Sequence, residues 1–124
     1  MNPLAIKTLL IVDDEQDVRE TLSEALELSG YQSSSVSNGE EALKALMRPE
    51  KPSLILLDLM MPVMDGLEFM KAKELIPELV DIPVIIISAD LRAESKIAGF
   101  KVAGYIRKPI SLDNLLKTVA RYCD

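Results

Sequence analysis

The sequence predicts an α/β protein, a doubly wound sandwich in which five parallel strands and five helices alternate along the chain. Three observations lead there. Short apolar runs alternate regularly with segments of helical period. The runs are continuous rather than alternating, as parallel strands buried on both faces require. The chain has 124 residues, 48% of them apolar, which suits one domain with a full core. Aromatics make up only 4%, so that core is aliphatic.

Thr8 to Val12 is the first apolar run, and it stops at Asp13-Asp14-Glu15. Val18, Leu22, Ala25 and Leu26 follow at helical spacing, and that helix ends near Gly30. Tyr31 to Val36, which contains Ser33 to Ser35, is a more polar strand expected near a sheet edge. Asn38 with Glu41 three residues on resembles a capping box. Ala42, Leu43 and Leu46 give the second helix its buried face, and Pro49 and Pro52 turn the chain.

Leu54 to Leu57 is an apolar run that stops at Asp58. Pro62 and Asp65-Gly66 mark a loop. Gly66 is read as supplying a backbone angle that other residues resist. Leu67, Met70 and Leu75 are expected to face inward on a third helix, closed by Pro77. Met60, Met61 and Met64 are read as packing, because thioether ligands suit Cu(I) and no Cys or His accompanies them.

Val84 to Ile87 is a run of four β-branched residues that stops at Ser88. Asp90 to Phe100 reads as a weakly amphipathic fourth helix. Tyr105-Ile106 is a short strand leading into Lys108-Pro109. Ser111 caps a last helix with Leu115, Leu116, Val119 and Ala120 inside. Right-handed crossovers are expected, and ligands bind outside the carboxyl ends of such strands.

Composition removes whole classes of function. There is no histidine, so His-based catalysis and His–metal sites are excluded. Cys123 is alone and can neither close an internal disulfide nor hold zinc. The net charge of −6 gives no electrostatic reason to bind nucleic acid or an anionic membrane. Met1 to Lys7 carries no charged leader before an apolar run of signal length, and no segment approaches a membrane span. A cytoplasmic location is expected.

The residues that end the strands carry the chemistry. Asp13 and Asp14 end the first, Asp58 the third and Ser88 the fourth, and Lys108 follows the fifth. All would share one rim of the sheet. Two carboxylates about 4 Å apart repel by roughly 4 kcal/mol at an effective dielectric near 20. Three together ask for a cation, and an all-oxygen site suits Mg²⁺ or Mn²⁺. A carboxylate can also be a nucleophile toward a phosphoryl group, with charge neutralisation from the metal and Lys108 and a hydroxyl donor in Ser88.

Each residue alone has a plainer reading. Asp13 and Asp14 could cap the first helix. Ser88 could satisfy a turn, Lys108 could be solvated and Tyr105 could be simple core.

The stretches Leu10-Ile11-Val12-Asp13-Asp14-Glu15, Leu57-Asp58-Leu59-Met60-Met61-Pro62-Val63-Met64-Asp65-Gly66, Ile82-Pro83-Val84-Ile85-Ile86-Ile87-Ser88-Ala89 and Tyr105-Ile106-Arg107-Lys108-Pro109 stand in one characteristic order. In that order the chain resembles, over its whole length, a bacterial response-regulator receiver domain of two-component signalling. The resemblance implies a single receiver domain over residues 1–124, of (βα)5 flavodoxin-like fold with strand order 2-1-3-4-5. It implies that Asp58 accepts a phosphoryl group from a phosphohistidine on a histidine kinase or histidine phosphotransfer protein. Asp14 would ligate Mg²⁺ directly, Asp13 through water, and Met60 through its backbone carbonyl. Lys108 would contact the phosphoryl group, Ser88 would swing toward it, and Tyr105 would turn inward behind it. The Lys108-Pro109 bond would be cis.

By the same resemblance the readout face is the fourth helix, fifth strand and fifth helix, biased by phosphorylation. The protein would be a switch rather than a turnover enzyme. It would be a monomer or a weak phosphorylation-dependent dimer acting on a protein target. As no output domain follows the last helix, the chain resembles either a stand-alone regulator or a piece excised from a longer protein. Two departures stand out. Lys101 occupies a bend where the family often has Gly, with Gly99 upstream, which puts the end of the fourth helix in question. Met60 and Asp90 lie two residues beyond Asp58 and Ser88, positions that in the family tune access of water to the phosphoryl group.

Other functions fit less well. An Asp-nucleophile phosphohydrolase wants a second Asp two residues after the first, but Glu15 follows Asp13 and Met60 follows Asp58. A flavodoxin-like binding module needs a phosphate-cradling loop after the first strand, where Asp13-Asp14-Glu15 would repel the phosphate. A degenerate, docking-only receiver is disfavoured by the complete acceptor set.

Overall fold

The computed structural model describes residues 7–123. The leader reading above concerns residues 1–7, of which all but Lys7 lie outside them. The strands are β1 (Thr8–Val12), β2 (Gln32–Val36), β3 (Leu54–Asp58), β4 (Val84–Ser88) and β5 (Gly104–Arg107). The helices between and after them are α1 (Gln16–Leu28), α2 (Gly39–Leu46), α3 (Gly66–Glu74), α4 (Ala93–Lys96) and α5 (Leu112–Cys123). The strands form one parallel sheet in the order β2-β1-β3-β4-β5. The fold is the flavodoxin-like one that the sequence implies, with the serine-rich β2 at an edge.

Side chains alternate between two cores because successive strand residues point to opposite faces. Leu10, Val12, Ile55, Leu57, Val84 and Ile86 meet Ala42 and Leu46 of α2, Phe69 and Met70 of α3, and Ala93 of α4. Leu9, Ile11, Leu54, Leu56, Ile85 and Ile87 meet Leu22 and Leu26 of α1 and Leu115, Val119 and Cys123 of α5. The central strands β3 and β4 are buried along their whole length, which explains their uninterrupted apolar sequences.

Helix starts follow local chemistry. Asn38 accepts from the Glu41 amide at 2.9 Å. Asp65 and Glu68 make a reciprocal capping box at the head of α3. The Ser111 hydroxyl accepts from the Asn114 amide at 3.3 Å, capping α5.

Four expectations need correction. Leu75 points to water at 83% exposure, while the completely buried Phe69 takes the place in the core. Helix α3 ends at Glu74, one residue before Leu75 could join its inner face. The fourth helix is a single turn, Ala93–Lys96, rather than a run from Asp90 to Phe100. Asp90 and Ser95 bond to the backbone of Arg92 instead, at 2.8 and 3.0 Å, which competes with helical pairing. Met60 is 62% exposed rather than packed, whereas Met61 and Met64 do lie against the core.

Gly66 is needed for a reason other than backbone angle, since it lacks a positive φ. A Cβ there would come within 2.6 Å of the Asp58 carbonyl oxygen and 2.8 Å of Leu59 Cα. The bend before β5 needs no glycine. Lys101 lies exposed there, and a Cβ on Gly99 would meet nothing. The Ala103 amide instead pins the chain to the Val84 carbonyl at 2.8 Å.

Candidate functional site

The carboxyl ends of β1, β3, β4 and β5 bring the predicted groups to one rim. Asp13 follows β1 directly, its amide bonded to the Val36 carbonyl at 3.1 Å. Asp58 and Ser88 are the last residues of β3 and β4, in adjoining strands whose register pairs Asp58 with Ile87. The Lys108 amide donates to the Ser88 carbonyl at 2.9 Å, which fixes Lys108 one rung beyond Ser88. The Lys108-Pro109 peptide is cis.

Carboxylate oxygens of Asp13, Asp14 and Asp58 all lie within 4.8 Å of one another. Asp13 and Asp58 are buried, at 2% and 5% exposure, and Asp14 is exposed. Each buried carboxylate divides its oxygens in the same way. Asp13 Oδ1 accepts from the Glu15 amide at 2.9 Å, and its Oδ2 lies 3.0 Å from Lys108 Nζ. Asp58 Oδ1 accepts from the Met60 amide at 3.3 Å, and its Oδ2 lies 3.6 Å from Lys108 Nζ. The ammonium is thus the one cation paired with both buried acids among the described residues.

These surroundings set the protonation of the site. Burial, reinforced by the charge of Asp13, pushes the Asp58 carboxyl up to about 6, with Lys108 and the Met60 amide opposing the rise. Burial draws Lys108 down, yet the Asp13 hydrogen bond and the charges of Asp58, Asp13 and Glu15 carry it above the usual lysine value. A carboxyl shifted by burial together with a specific charged neighbour marks a candidate functional site.

The donor set tests the implied metal. It is all oxygen, with three carboxylates, one of them open to solvent, and neither nitrogen nor thiolate. That fits a hard cation that keeps some of its water, as Mg²⁺ does. The residues therefore fit the ion.

The remaining predicted residues lie around this centre. Ser88 is completely buried, and its hydroxyl accepts from the Asp90 amide at 3.0 Å. Asp90 also holds Lys96 through its other carboxylate oxygen, and that pairing lowers its own pKa. Tyr105 pairs with Ile86 in the sheet and is half-buried against the core that α2, α3 and α4 cover. Met60, Asp14 and Lys96 line an open hollow beside the acids, with Met61 and Asp65.

Two contacts were not foreseen. The Glu15 carboxylate reaches Lys108 Nζ at 3.3 Å, and the Arg19 guanidinium donates to the Asp13 carbonyl at 2.7 Å. No local signal encodes the first, because its two residues lie 93 positions apart.

A parallel five-stranded sheet with an acidic, lysine-bearing rim at its carboxyl ends defines a flavodoxin-like α/β domain with a candidate metal centre. The profile of the response regulator receiver domain family matches residues 9–120. The chain belongs to that family. It is 41% identical over 120 residues to the phosphate regulon transcriptional regulatory protein PhoB of Pseudomonas aeruginosa, covering 93% of this chain and 52% of that protein. It is 37% identical over 118 residues to sporulation initiation phosphotransferase F of Bacillus subtilis, covering 92% of this chain and 91% of that protein. The chain spans about half the length of the first curated relatives it matches.

Solved structures agree. The chemotaxis response regulator CheY4 of Vibrio cholerae superposes with a TM-score of 0.86 at 28% identity, covering 95% of this chain and 99% of that one. The signal receiver domain of a signal transduction histidine kinase from Syntrophus aciditrophicus gives 0.85 at 34% identity, covering 94% and 89%. The protein is therefore a receiver domain of two-component signal transduction.

Proposed function

We propose that this receiver takes a phosphoryl group onto Asp58 from a phosphohistidine of a histidine kinase or a histidine phosphotransfer protein. The observation that carries the reading is the buried Asp58 carboxylate, clustered with Asp13 and Asp14 and paired with Lys108. In the transfer, an Asp58 carboxylate oxygen attacks phosphorus and forms the new P–O bond. The P–N bond breaks, and the imidazole leaves with its electron pair and takes up a proton. The product is an acyl phosphate.

Asp58 must be ionised to attack, and Lys108 favours that form. Lys108 then neutralises phosphoryl oxygens, where charge is concentrated in such transfers. In accepting from the Asp90 amide the Ser88 hydroxyl keeps its own proton, which it donates to one of those oxygens as it swings toward them. Tyr105 turns inward behind it. Asp14 and Asp58 would hold Mg²⁺ directly, Asp13 through water and Met60 through its carbonyl; when bound, the ion supplies charge that offsets both the acids and the phosphoryl group.

The chain acts as a switch rather than an enzyme that releases product repeatedly. Its readout lies on α4, β5 and α5, toward a protein target. The reading includes a cytoplasmic location and a monomer or weak phosphorylation-dependent dimer. Among the described residues no helix is long and apolar enough to cross a membrane. Intact-protein mass spectrometry after incubation with acetyl phosphate tests the reading. A gain of one phosphoryl group with Mg²⁺ but not with EDTA, labile to hydroxylamine, is expected. No gain from acetyl phosphate or from a panel of histidine kinases would overturn it.

A further inference from the structure

Lys108 serves three carboxylates, and the acceptor is the most distant of them. Its Nζ lies 3.0 Å from Asp13, 3.3 Å from Glu15 and 3.6 Å from Asp58. Two of the three come from the turn between β1 and α1, so the ammonium rests toward that turn rather than over Asp58.

Glu15 differs from the other two partners. It occupies the N-cap of α1 in extended conformation, but its side chain makes no capping bond. The carboxylate is spent instead on a lysine 93 residues away. Its side chain is 62% exposed, so it can rotate into water at little cost. Asp13 has no such freedom, being buried and held by the Glu15 amide. Arg19 fixes the same turn through the Asp13 carbonyl. The turn is thus rigid, and one detachable carboxylate extends from it.

We propose that Glu15 is a positioning residue that holds the Lys108 ammonium back from Asp58, and that its release hands the ammonium to the incoming phosphoryl group. The inference rests on Asp58 as phosphoryl acceptor. It assigns to Glu15 a restraint on the rate of that transfer. It also requires contact rather than charge alone. An aspartate in its place keeps the charge but is one methylene shorter and loses the reach.

The test measures phosphorylation of the whole protein by acetyl phosphate at saturating Mg²⁺, with Glu15→Gln, Glu15→Asp and the exposed control Glu20→Gln. Both Glu15 variants are expected to react about two- to five-fold faster, the range of a partly exposed ion pair. Glu20→Gln is expected to match the wild type. A second readout needs no phosphorylation: the Lys108 ¹⁵Nζ resonance in the metal-free protein should move in both Glu15 variants.

Unchanged or slower transfer in Glu15→Gln overturns the inference. So does a Glu15→Asp variant that behaves as wild type, because charge rather than contact then sets the rate. So does a Lys108 resonance that stays in place. If the wild type accepts no phosphoryl group, the assignment of Asp58 fails, and the resonance still reports whether Glu15 holds Lys108.

Discussion

The backbone of Gly66 lies directly against that of Asp58: a Cβ on the glycine would stand 2.6 Å from the Asp58 carbonyl oxygen. The Gly66 amide also donates to the Leu59 carbonyl at 2.9 Å, so the head of α3 is bound to the end of β3. Two backbones and a helix cap meet there, and none can move alone. Gly66→Ala is expected to cost about 1–3 kcal/mol of stability, as overpacking does. Urea denaturation checks this. Gly99→Ala, where a Cβ meets nothing, is expected to be neutral or slightly stabilising.

Asp58→Asn should abolish phosphorylation and keep the fold, because it removes the nucleophile while preserving shape. It should also stabilise the metal-free protein at neutral pH. The Asp58 carboxyl is raised from 3.8 to about 6, so the folded state binds its proton more tightly than the unfolded chain does. Stability from this group is therefore greatest below about pH 4 and declines as pH rises through 6. By linkage the loss reaches at most roughly 3 kcal/mol at pH 7.5. Thermal melts with EDTA at pH 5 and pH 7.5 should show the variant's advantage growing with pH. An advantage independent of pH would mean that ionised Asp58 is not the source.

Mg²⁺ should stabilise the fold, since it binds the native acids and has no such cluster in the unfolded chain. Ligand at 100 times its Kd adds about 2.7 kcal/mol. The melting temperature should rise with Mg²⁺ concentration in the wild type and less so in Asp14→Asn. Equal rises in both would remove Asp14 from the metal site.

Lys108→Met should destabilise the metal-free protein by roughly 2–4 kcal/mol, because it leaves two buried carboxylates without their cation. Added Mg²⁺ should recover most of that loss by supplying the missing charge. Melts with and without the ion decide it, and failure of the ion to restore stability would point to lost side-chain packing instead.

Lys96→Ala should leave global stability little changed, since the Lys96 side chain is itself exposed. Hydrogen exchange is the sharper measure. The amides of α4 should exchange faster, while those of β4 stay protected.

Much of this architecture was legible in advance because parallel strands buried on both faces write themselves as continuous runs. Val84 to Ile87 and Leu54 to Leu57 could be little else, and each ends in the polar residue that the rim uses. Periodicity failed where side chains compete with the backbone. Asp90 and Ser95 are reasonable helix residues by pattern, but in space they bond to Arg92 and leave one turn. Leu75 was misplaced because apolar spacing does not reveal where a helix stops. Glu15 was visible beside the acids, yet its partner lies 93 residues away, a pairing no local signal encodes.

The cation of the rim is carried just beyond β5, which pairs with β4 alone and forms one border of the sheet. The acids stand on strands from the interior of the same sheet. Early in folding, then, a hollow of negative charge can exist before its counter-charge has arrived. Zipping of the final strand onto its neighbour is what completes the electrostatics. Conversely, any opening of that border would carry Lys108 away from the acids, since its amide is held by the Ser88 carbonyl of β4.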